Sequence, residues 1–374
     1  VNVLFYEWFI KTNSFRNFQI KQFLILRKKQ ILVLLAVIVL PILISLYRYS
    51  TYLPEGKYGE VCLVQPNYEP HYEKFVVPEM DQITRLGRLA ELVINKETKF
   101  IVFPETSFGD TGDGPLNKDR IGDDNRIILF YDFIETHMNI PIVMGVTTVH
   151  ILKDSSKHTP FTRINPRTNS AYEIANSAII LKNRTEQIPV YNKSRLVPGA
   201  EIFPYRKILP FLKPIVDMLG GSIQGLATQE ERSVFESNGY IIAPVICYES
   251  IYGNYLRGYI KNGAQAIFVM TNDGWWDDTP GYKQHMAYSK LSAIEFRRPV
   301  LRSANTGITC FINSKGDVGK SINYGVHSAI NQGITFSTEM TFYSLFGDLI
   351  AYAAFITAFI LLILFFLVKQ KKHN

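Results

Sequence analysis

Apolar residues recur along the chain at two periods, and the elements they predict alternate. Residues 58–65 (YGEVCLVQ) are apolar and β-branched enough for a central strand, stopped by Pro66-Asn67. Residues 80–95 (MDQITRLGRLAELVIN) put Ile83, Leu86, Leu89 and Leu92/Val93 at helical spacing, the pattern of an amphipathic helix lying on a sheet. A short buried strand follows at 99–103 and ends in Pro104-Glu105-Thr106. Then come a Gly/Asp-rich loop over 109–124, a helix over 125–138, and strands over 141–148 and 176–182. The later part reads as a strand at 239–246, a helix near 250–261, a strand at 265–270, a helix near 283–297, and strands at 299–303 and 308–313. Several of these strands are apolar throughout, as strands covered on both faces are. The alternation therefore predicts an α/β domain whose sheets are sheathed by helices.

Two stretches are apolar in a different way. Residues 31–47 run 17 positions without a charge and residues 349–368 run 20, against roughly 17–25 for a membrane-spanning helix. Pro41 in the first is tolerated where packed membrane helices surround it. Arg27, Lys28 and Lys29 precede the first stretch, and Lys369, Lys371 and Lys372 follow the second. By the positive-inside rule those ends are cytoplasmic and everything between lies on the opposite side. Tyr47, Tyr49 and Tyr52 at one exit, with Phe342, Tyr343 and Phe346 at the other, suit an interfacial aromatic belt. The expected organisation is a membrane-proximal segment at 1–30, transmembrane helices at 31–47 and 349–368, and a catalytic domain at 55–335. The opening VNVLFYEWFI has no small-residue cleavage site after it, which fits a signal peptide poorly. A fragment of a longer membrane protein is expected instead.

Charge changes the picture once it is divided by region. The chain carries a formal +7, but residues 1–50 and 369–374 hold nine excess positive charges, which leaves 51–368 at −2. The basic balance belongs to the membrane flanks, and no nucleic-acid partner is expected. Three cysteines, Cys62, Cys247 and Cys310, make no disulfide framework. Seven scattered histidines without HExxH or CxxC give no metal or other cofactor a foothold. Residues 203–226 mix large apolar residues with Arg206, Lys207 and Lys213 between prolines. They read either as a cover over the core or as a mobile lid that touches the bilayer.

Three residues with chemistry end strands or follow them: Glu105, Lys193 and Cys247. Cys247 closes the apolar run GYIIAPVIC and opens the predicted helix, where a helix N-terminus would favour a thiolate. A thiol attacking a carbonyl needs a base to take its proton and positive charge near the oxygen of the tetrahedral intermediate. A carboxylate and an ammonium supply both. Each residue also has a structural reading, with Glu105 as a helix cap, Lys193 as a solvated loop charge and Cys247 as core, and the residues by themselves leave both open.

FPET at 103–106, YNKSRLVPGAEIFP at 191–204 and ICYES at 246–250 resemble the Glu, Lys and Cys motifs of the nitrilase, or carbon–nitrogen hydrolase, superfamily. The resemblance runs over about 58–313 with the motifs in the family's order. It implies an αββα sandwich in which Glu105 is base and then acid, Cys247 the nucleophile, and Lys193 with the backbone N–H of Tyr248 the oxyanion stabiliser. Residues 271–309 are further similar to the apolipoprotein N-acyltransferase family, whose nitrilase-like domain sits outside the inner membrane between the last two of several spans. What that implies is ping-pong acyl transfer. Cys247 takes an acyl chain from a phospholipid as a thioester, and the α-amino group of an N-terminal diacylglyceryl-cysteine on an apolipoprotein then accepts it.

The same resemblance makes Glu201 a second acid near the lysine, has Tyr248 and Glu249 shape the pocket, and makes Asn176 a supporting donor. Trp275 falls on a loop that approaches the substrate in the family, or on a turn with exposed aromatics. Where the family commonly reads Phe-Gly-Glu this chain has Gly199-Ala200-Glu201, so the path of that loop is left open. The implied protein is a monomer in the bacterial inner membrane with its catalytic domain on the periplasmic side. The rival readings are a membrane-tethered amidase of the same fold, in which water resolves the thioester, and a non-catalytic lipoprotein-binding module.

Overall fold

The first strand of the domain pairs with its last. In the computed structural model, which describes residues 28–108, 114–154, 156, 158–202 and 225–371, β1 (Gly56–Gln65) runs antiparallel to a ten-residue strand at Ser328–Ser337, from Gly56 opposite Ser337 to Gln65 opposite Ser328. The sequence pattern ends the strands at 308–313. Val318–Ile322 and Ser328–Ser337 therefore correct it, and the second of them forms the edge of a sheet.

Among the described residues the strands form two sheets. The first contains β1, β2 (Thr98–Val102), β3 (Leu116–Asn117), β4 (Ile142–Leu152), β5 (Arg163–Ile164), β6 (Ala171–Leu181) and β7 (Val190–Asn192), together with β14 (Ser328–Ser337). Its order is β14-β1-β2-β4-β6-β5, with β3 beside β4 and β7 beside β6. The second orders β13 (Val318–Ile322), β12 (Thr309–Ile312), β11 (Val300–Ala304), β10 (Ala266–Thr271), β9 (Tyr240–Ile246) and β8 (Phe235–Ser237). The central strands β1-β2-β4 and β9-β10-β11 run parallel, as strands joined through crossover helices do.

Alternation along each strand sorts the side chains into layers. On β1, Val61 and Leu63 face the second sheet and join Phe100, Val102, Ile242, Val245, Phe268 and Leu301 in one buried cluster. Cys62 and Val64 face the other way, onto α2 (Glu79–Glu91) and α3 (Asn125–Thr136). The outer face of the second sheet is covered by α4 (Gly253–Lys261) and α5 (Pro280–Phe296) through Leu256, Tyr259, Ala293 and Phe296. The result is a nitrilase-like α/β fold in four layers, helix, sheet, sheet, helix. Phe100 and Phe268 meet edge-on across the two sheets, ring centroids 5.5 Å apart. Ser303 donates to the carbonyls of Val64 and Val102 on the facing sheet, at 2.8 and 3.1 Å.

Several boundaries differ from the expected ones for local reasons. The helix expected over 80–95 stops at Glu91, because Ala90 O accepts from Val93 N and Ile94 N and the chain turns toward β2. Within the loop expected at 109–124, residues 116–117 pair with β4 and Lys118–Asp123 wind as a 3-10 turn capped by Asn117. The helix expected near 250–261 begins only at Gly253, after a separate 3-10 turn at Cys247–Ile251. The lid reading of 203–226 falls almost wholly outside the described residues.

Two long helices complete the described chain. α1 (Lys28–Thr51) has 24 residues with Pro41 inside, and its described side chains are all exposed. After the short α6 (Phe342–Phe346), α7 (Leu349–Lys371) has 23 residues, again with every described side chain exposed. Among the described residues no helix is long and apolar enough to cross a membrane. The side chains of Gln30, Ile31, Leu34, Phe366 and residues 368–371 stand outside that count.

The seam between the sheets yields a stability test. Phe268→Ala removes a fully buried ring from it and should cost about 3–5 kcal/mol, read as a lowered midpoint of urea unfolding with the cooperative transition retained.

Candidate active site

Glu105 owes its position to a strand that is forced to stop. Phe103 N still donates to Val143 O at 2.9 Å, but Pro104 has no N–H to continue the ladder, and Thr106 turns with φ 47°. The turn lies directly on β4, where Gly145 N donates to Pro104 O and Gly145 O accepts from Ser107 N. A Cβ at position 145 would stand 2.7 Å from Glu105 Cα, so only glycine lets the two segments approach this closely. Glu105 is left buried, at 6% exposure.

Lys193 follows β7, its backbone N–H donating to Asn176 O at 2.8 Å, and its side chain is 1% exposed. The ammonium sits 3.0 Å from Glu105 Oε1 and 2.8 Å from Glu201 Oε1. Asn176 Nδ2 donates to the same two oxygens, at 2.7 and 3.1 Å. Burial alone would lower the lysine's pKa, but the two carboxylates beside it hold it well above the ordinary value. Lys193 is therefore a permanent cation with two of its hydrogens committed. The Gly199-Ala200-Glu201 departure has a simple geometry. Gly199 turns at φ 89°, Glu201 N donates to Val197 O, and Val197 N donates back to Glu201 Oε2 at 2.8 Å, which folds the carboxylate over the lysine.

Cys247 stands at the end of β9, one residue past the Ile246↔Met270 pair with β10. It adopts φ 48°, a left-handed conformation that costs a non-glycine residue about 1–2 kcal/mol. The thiol is buried, and burial followed by the negative charge of Glu105 pushes it well above the ordinary cysteine range. Lys193 and a hydrogen bond with Thr271 pull the other way. The expected stabilisation of a thiolate by an α-helix N-terminus is not what the fold provides. Cys247 opens a five-residue 3-10 turn, and the α-helix starts six residues later. The resting residue is a thiol, and Lys193 is the positive charge that acts on it.

Glu249 is fully buried and joins the two halves of the site. Its Oε2 accepts from Ile246 N at 2.9 Å, beside Cys247, and its Oε1 accepts from Ser194 N at 2.7 Å, beside Lys193. The hydroxyls of Tyr191 and Tyr255 donate to the same oxygen. Burial raises its carboxyl group while these donors offset part of the rise. Tyr248 is half-buried with its ring edge-on to Tyr252, 5.3 Å away. Trp275 is 49% exposed and packs on His71 and Phe75, away from direct contact with Glu105, Lys193 or Cys247. Glu105, Lys193, Glu201 and Asn176 are thus brought into hydrogen-bond contact, with Cys247 in their field, while Trp275 is not.

The sequence reading missed a group behind the cysteine. Asp273, His285 and Arg302 are buried together, with Ser250 and Thr271 bonded to them. A signal was present in Arg302, a charge inside the apolar strand VLRSA, which needs a buried partner. Among the described residues, Glu69, His71 and Asp277 form a cluster with metal-ligand atoms within 4.8 Å of one another, partly exposed and sharing no residue with the lysine site.

Residues 61–332 match the carbon-nitrogen hydrolase family. The chain belongs to that family. Its carbon-nitrogen hydrolase domain is similar in fold to a CN-hydrolase superfamily protein of Xanthomonas campestris, at TM-score 0.50 and 15% identity over 75% of this chain and 91% of that one. By sequence the chain is 26% identical to the apolipoprotein N-acyltransferase of Chlorobaculum tepidum over 86% of its own length and 60% of that protein. It is also 26% identical to apolipoprotein N-acyltransferase 1 of Treponema denticola, over 79% of its own length and 55% of that protein. The chain therefore spans between 55 and 60% of the length of these two relatives.

Two outcomes follow for the buried charges. Glu105→Gln removes the negative charge that raises the thiol, so the pH midpoint of Cys247 alkylation by iodoacetamide should fall below that of the wild type. A midpoint that stays or rises contradicts the arrangement. Lys193→Ala leaves the buried Glu105 carboxylate and the half-buried Glu201 without their cation and should cost about 3–5 kcal/mol, measured by urea unfolding at neutral pH.

Proposed function

We infer that this chain carries the catalytic domain of an apolipoprotein N-acyltransferase. The observation that carries the reading is the Glu105–Lys193 ion pair at 3.0 Å, set beside a cysteine in a left-handed turn within a carbon-nitrogen hydrolase domain. The relatives' names and the uncharged stretches at 31–47 and 349–368 direct it toward lipid. In this reading those two stretches of sequence cross the bacterial inner membrane, with the lysines and arginines that flank them in the cytoplasm and the domain on the periplasmic side.

Glu105 takes the proton of Cys247, and the thiolate attacks the ester carbonyl of a phospholipid acyl chain. The oxyanion of the tetrahedral intermediate meets the remaining hydrogen of Lys193 and the backbone N–H of Tyr248. Glu105 returns its proton to the departing lysophospholipid alkoxide, leaving a thioester on Cys247. The α-amino group of a diacylglyceryl-cysteine then attacks that thioester, Glu105 accepts the amine proton, and the proton passes to the sulfur as the amide forms. A carboxyl group that is base in one half and acid in the other contributes typically 10²–10⁴-fold in such steps. Lys193 cannot share that role, since its two carboxylate partners keep it protonated. Glu201 and Asn176 hold the lysine and the base in register, Glu249 holds the segments beside Cys247 and Lys193, and Tyr248 and Trp275 face the substrates.

The full-length protein in phospholipid–detergent micelles should transfer a radiolabelled acyl chain to a synthetic diacylated lipopeptide and trap a labelled thioester when the lipopeptide is withheld. Cys247→Ser should do neither. Lysophospholipid release without triacylated lipopeptide would instead favour a hydrolytic amidase-like activity, and a folded wild-type protein that forms no adduct would falsify the acyl-enzyme.

A further inference from the structure

The left-handed turn at Cys247 is strained, and strain of this kind persists only where surrounding contacts over-determine the backbone. Two side chains meet at the Cys247 carbonyl. Its oxygen accepts from Ser250 Oγ at 2.7 Å and lies 3.2 Å from His285 Nε2, and His285 Nε2 is itself 2.8 Å from Ser250 Oγ. The other ring nitrogen, Nδ1, is 2.8 Å from Asp273 Oδ1. Asp273 also receives Arg302 Nη2 on Oδ2 at 2.7 Å and Thr271 Oγ1 on Oδ1 at 2.8 Å. None of these side chains is more than 3% exposed.

The chain of bonds has a direction. Burial would raise the Asp273 carboxyl, but Arg302, His285 and Thr271 hold it below the usual range, so it is an ionised acceptor. His285 must therefore carry a hydrogen on Nδ1 in that bond, and because Ser250 spends its only hydrogen on the Cys247 carbonyl, Nε2 can face that carbonyl and Ser250 Oγ only as a second donor. This fixes the plane of the ring and turns Nε2 onto the carbonyl and Ser250. Trp276, edge-on to His285 at 5.4 Å, covers the ring from the surface side. An apolar side chain would fill the same space without burying an Asp, a His and an Arg, a combination that packing alone does not favour.

We propose that His285 is a positioning residue for the nucleophile: oriented by Asp273, it clamps the Cys247 carbonyl directly and through Ser250, and so holds the left-handed turn that keeps Sγ within the field of Glu105 and Lys193. The proposal rests on Cys247 being the nucleophile, but its test needs neither lipid nor lipopeptide. The groups acting on the thiol are Glu105 and Asp273, which raise it, and Lys193 and Thr271, which lower it. His285 reaches Cys247 only through the backbone oxygen. Releasing the clamp should therefore leave the thiol present but uncouple it from Glu105.

The experiment is a double-mutant cycle on the full-length protein in detergent, following alkylation of the Cys247 peptide by iodoacetamide with mass spectrometry as pH is varied. Glu105→Gln is introduced alone and together with His285→Phe, which keeps the ring volume without the nitrogens, or His285→Gln, which keeps a donor. We expect the shift in alkylation midpoint caused by Glu105→Gln to survive in the His285→Gln background and to shrink by more than half in His285→Phe. A full shift in a folded His285→Phe protein overturns the proposal. If His285→Phe does not fold, Ser250→Ala removes one hydroxyl from the same clamp. A reduced shift there supports the proposal and an unchanged one overturns it. Because acyl transfer is not measured, a wild type that transfers no acyl chain would remove the proposed function and leave this cycle to be judged on its own.

Discussion

A buried ammonium is stable only when its charge is met, and Lys193 is met twice. Its partners come from separate parts of the chain: Glu105 after β2, Glu201 from the turn at 197–202, and Asn176 in β6 bridging both. One cation thereby pins three segments that the sheets alone leave free to drift. The same pairing decides the chemistry. A lysine held protonated by two carboxylates contributes charge and donors, so proton transfer falls to Glu105. In a dry site each of these interactions is stronger than it would be in water, and any unpaired member costs correspondingly more.

The sandwich supports that cluster from behind. Glu249 ties the backbone beside Cys247 to the backbone beside Lys193 through one carboxylate. The two residues thus keep their separation even though one belongs to each sheet. Behind Cys247, Asp273, His285 and Arg302 form a second buried polar group, in which His285 reaches the nucleophile at its main-chain carbonyl. Burial, Glu105 and Asp273 raise the thiol of the cysteine, and Lys193 and Thr271 lower it.

Much of this was legible in the sequence, and for a physical reason. Parallel strands buried on both faces read as continuous apolar runs, so β1, β2, β9 and β10 stand out, and residues at their C-terminal ends draw the eye to Glu105 and Cys247. Lys193 was singled out with them as a residue that follows a strand, and Glu201 was found by its motif rather than by periodicity. β14 was hidden because SAINQGITFS alternates buried with half-buried positions at a sheet edge, and its polar residues look like loop. The helix start beside Cys247 was misplaced because Glu249 turns inward to accept backbone hydrogens, which winds the chain as a 3-10 turn first. His285 was passed over as one of seven scattered histidines. Its partners Asp273 and Arg302 lie 12 and 17 residues away, and nothing short of the folded sheet brings them together.

The pairing of β1 with β14 also bears on how such a domain is housed. Gly56 lies opposite Ser337, and the two strands run antiparallel. Neighbouring strands are about 4.8 Å apart, so the first and last strands of the sandwich begin and end side by side at one end of one sheet. A module whose ends meet can be spliced into a host chain without stretching it, in the way inserted domains generally are. Gly56 and Ser337 thus lie a strand's width apart, and past Ser337 the short helix at Phe342–Phe346 packs back on the sandwich, Ser344 O accepting from Arg257 Nε at 2.9 Å.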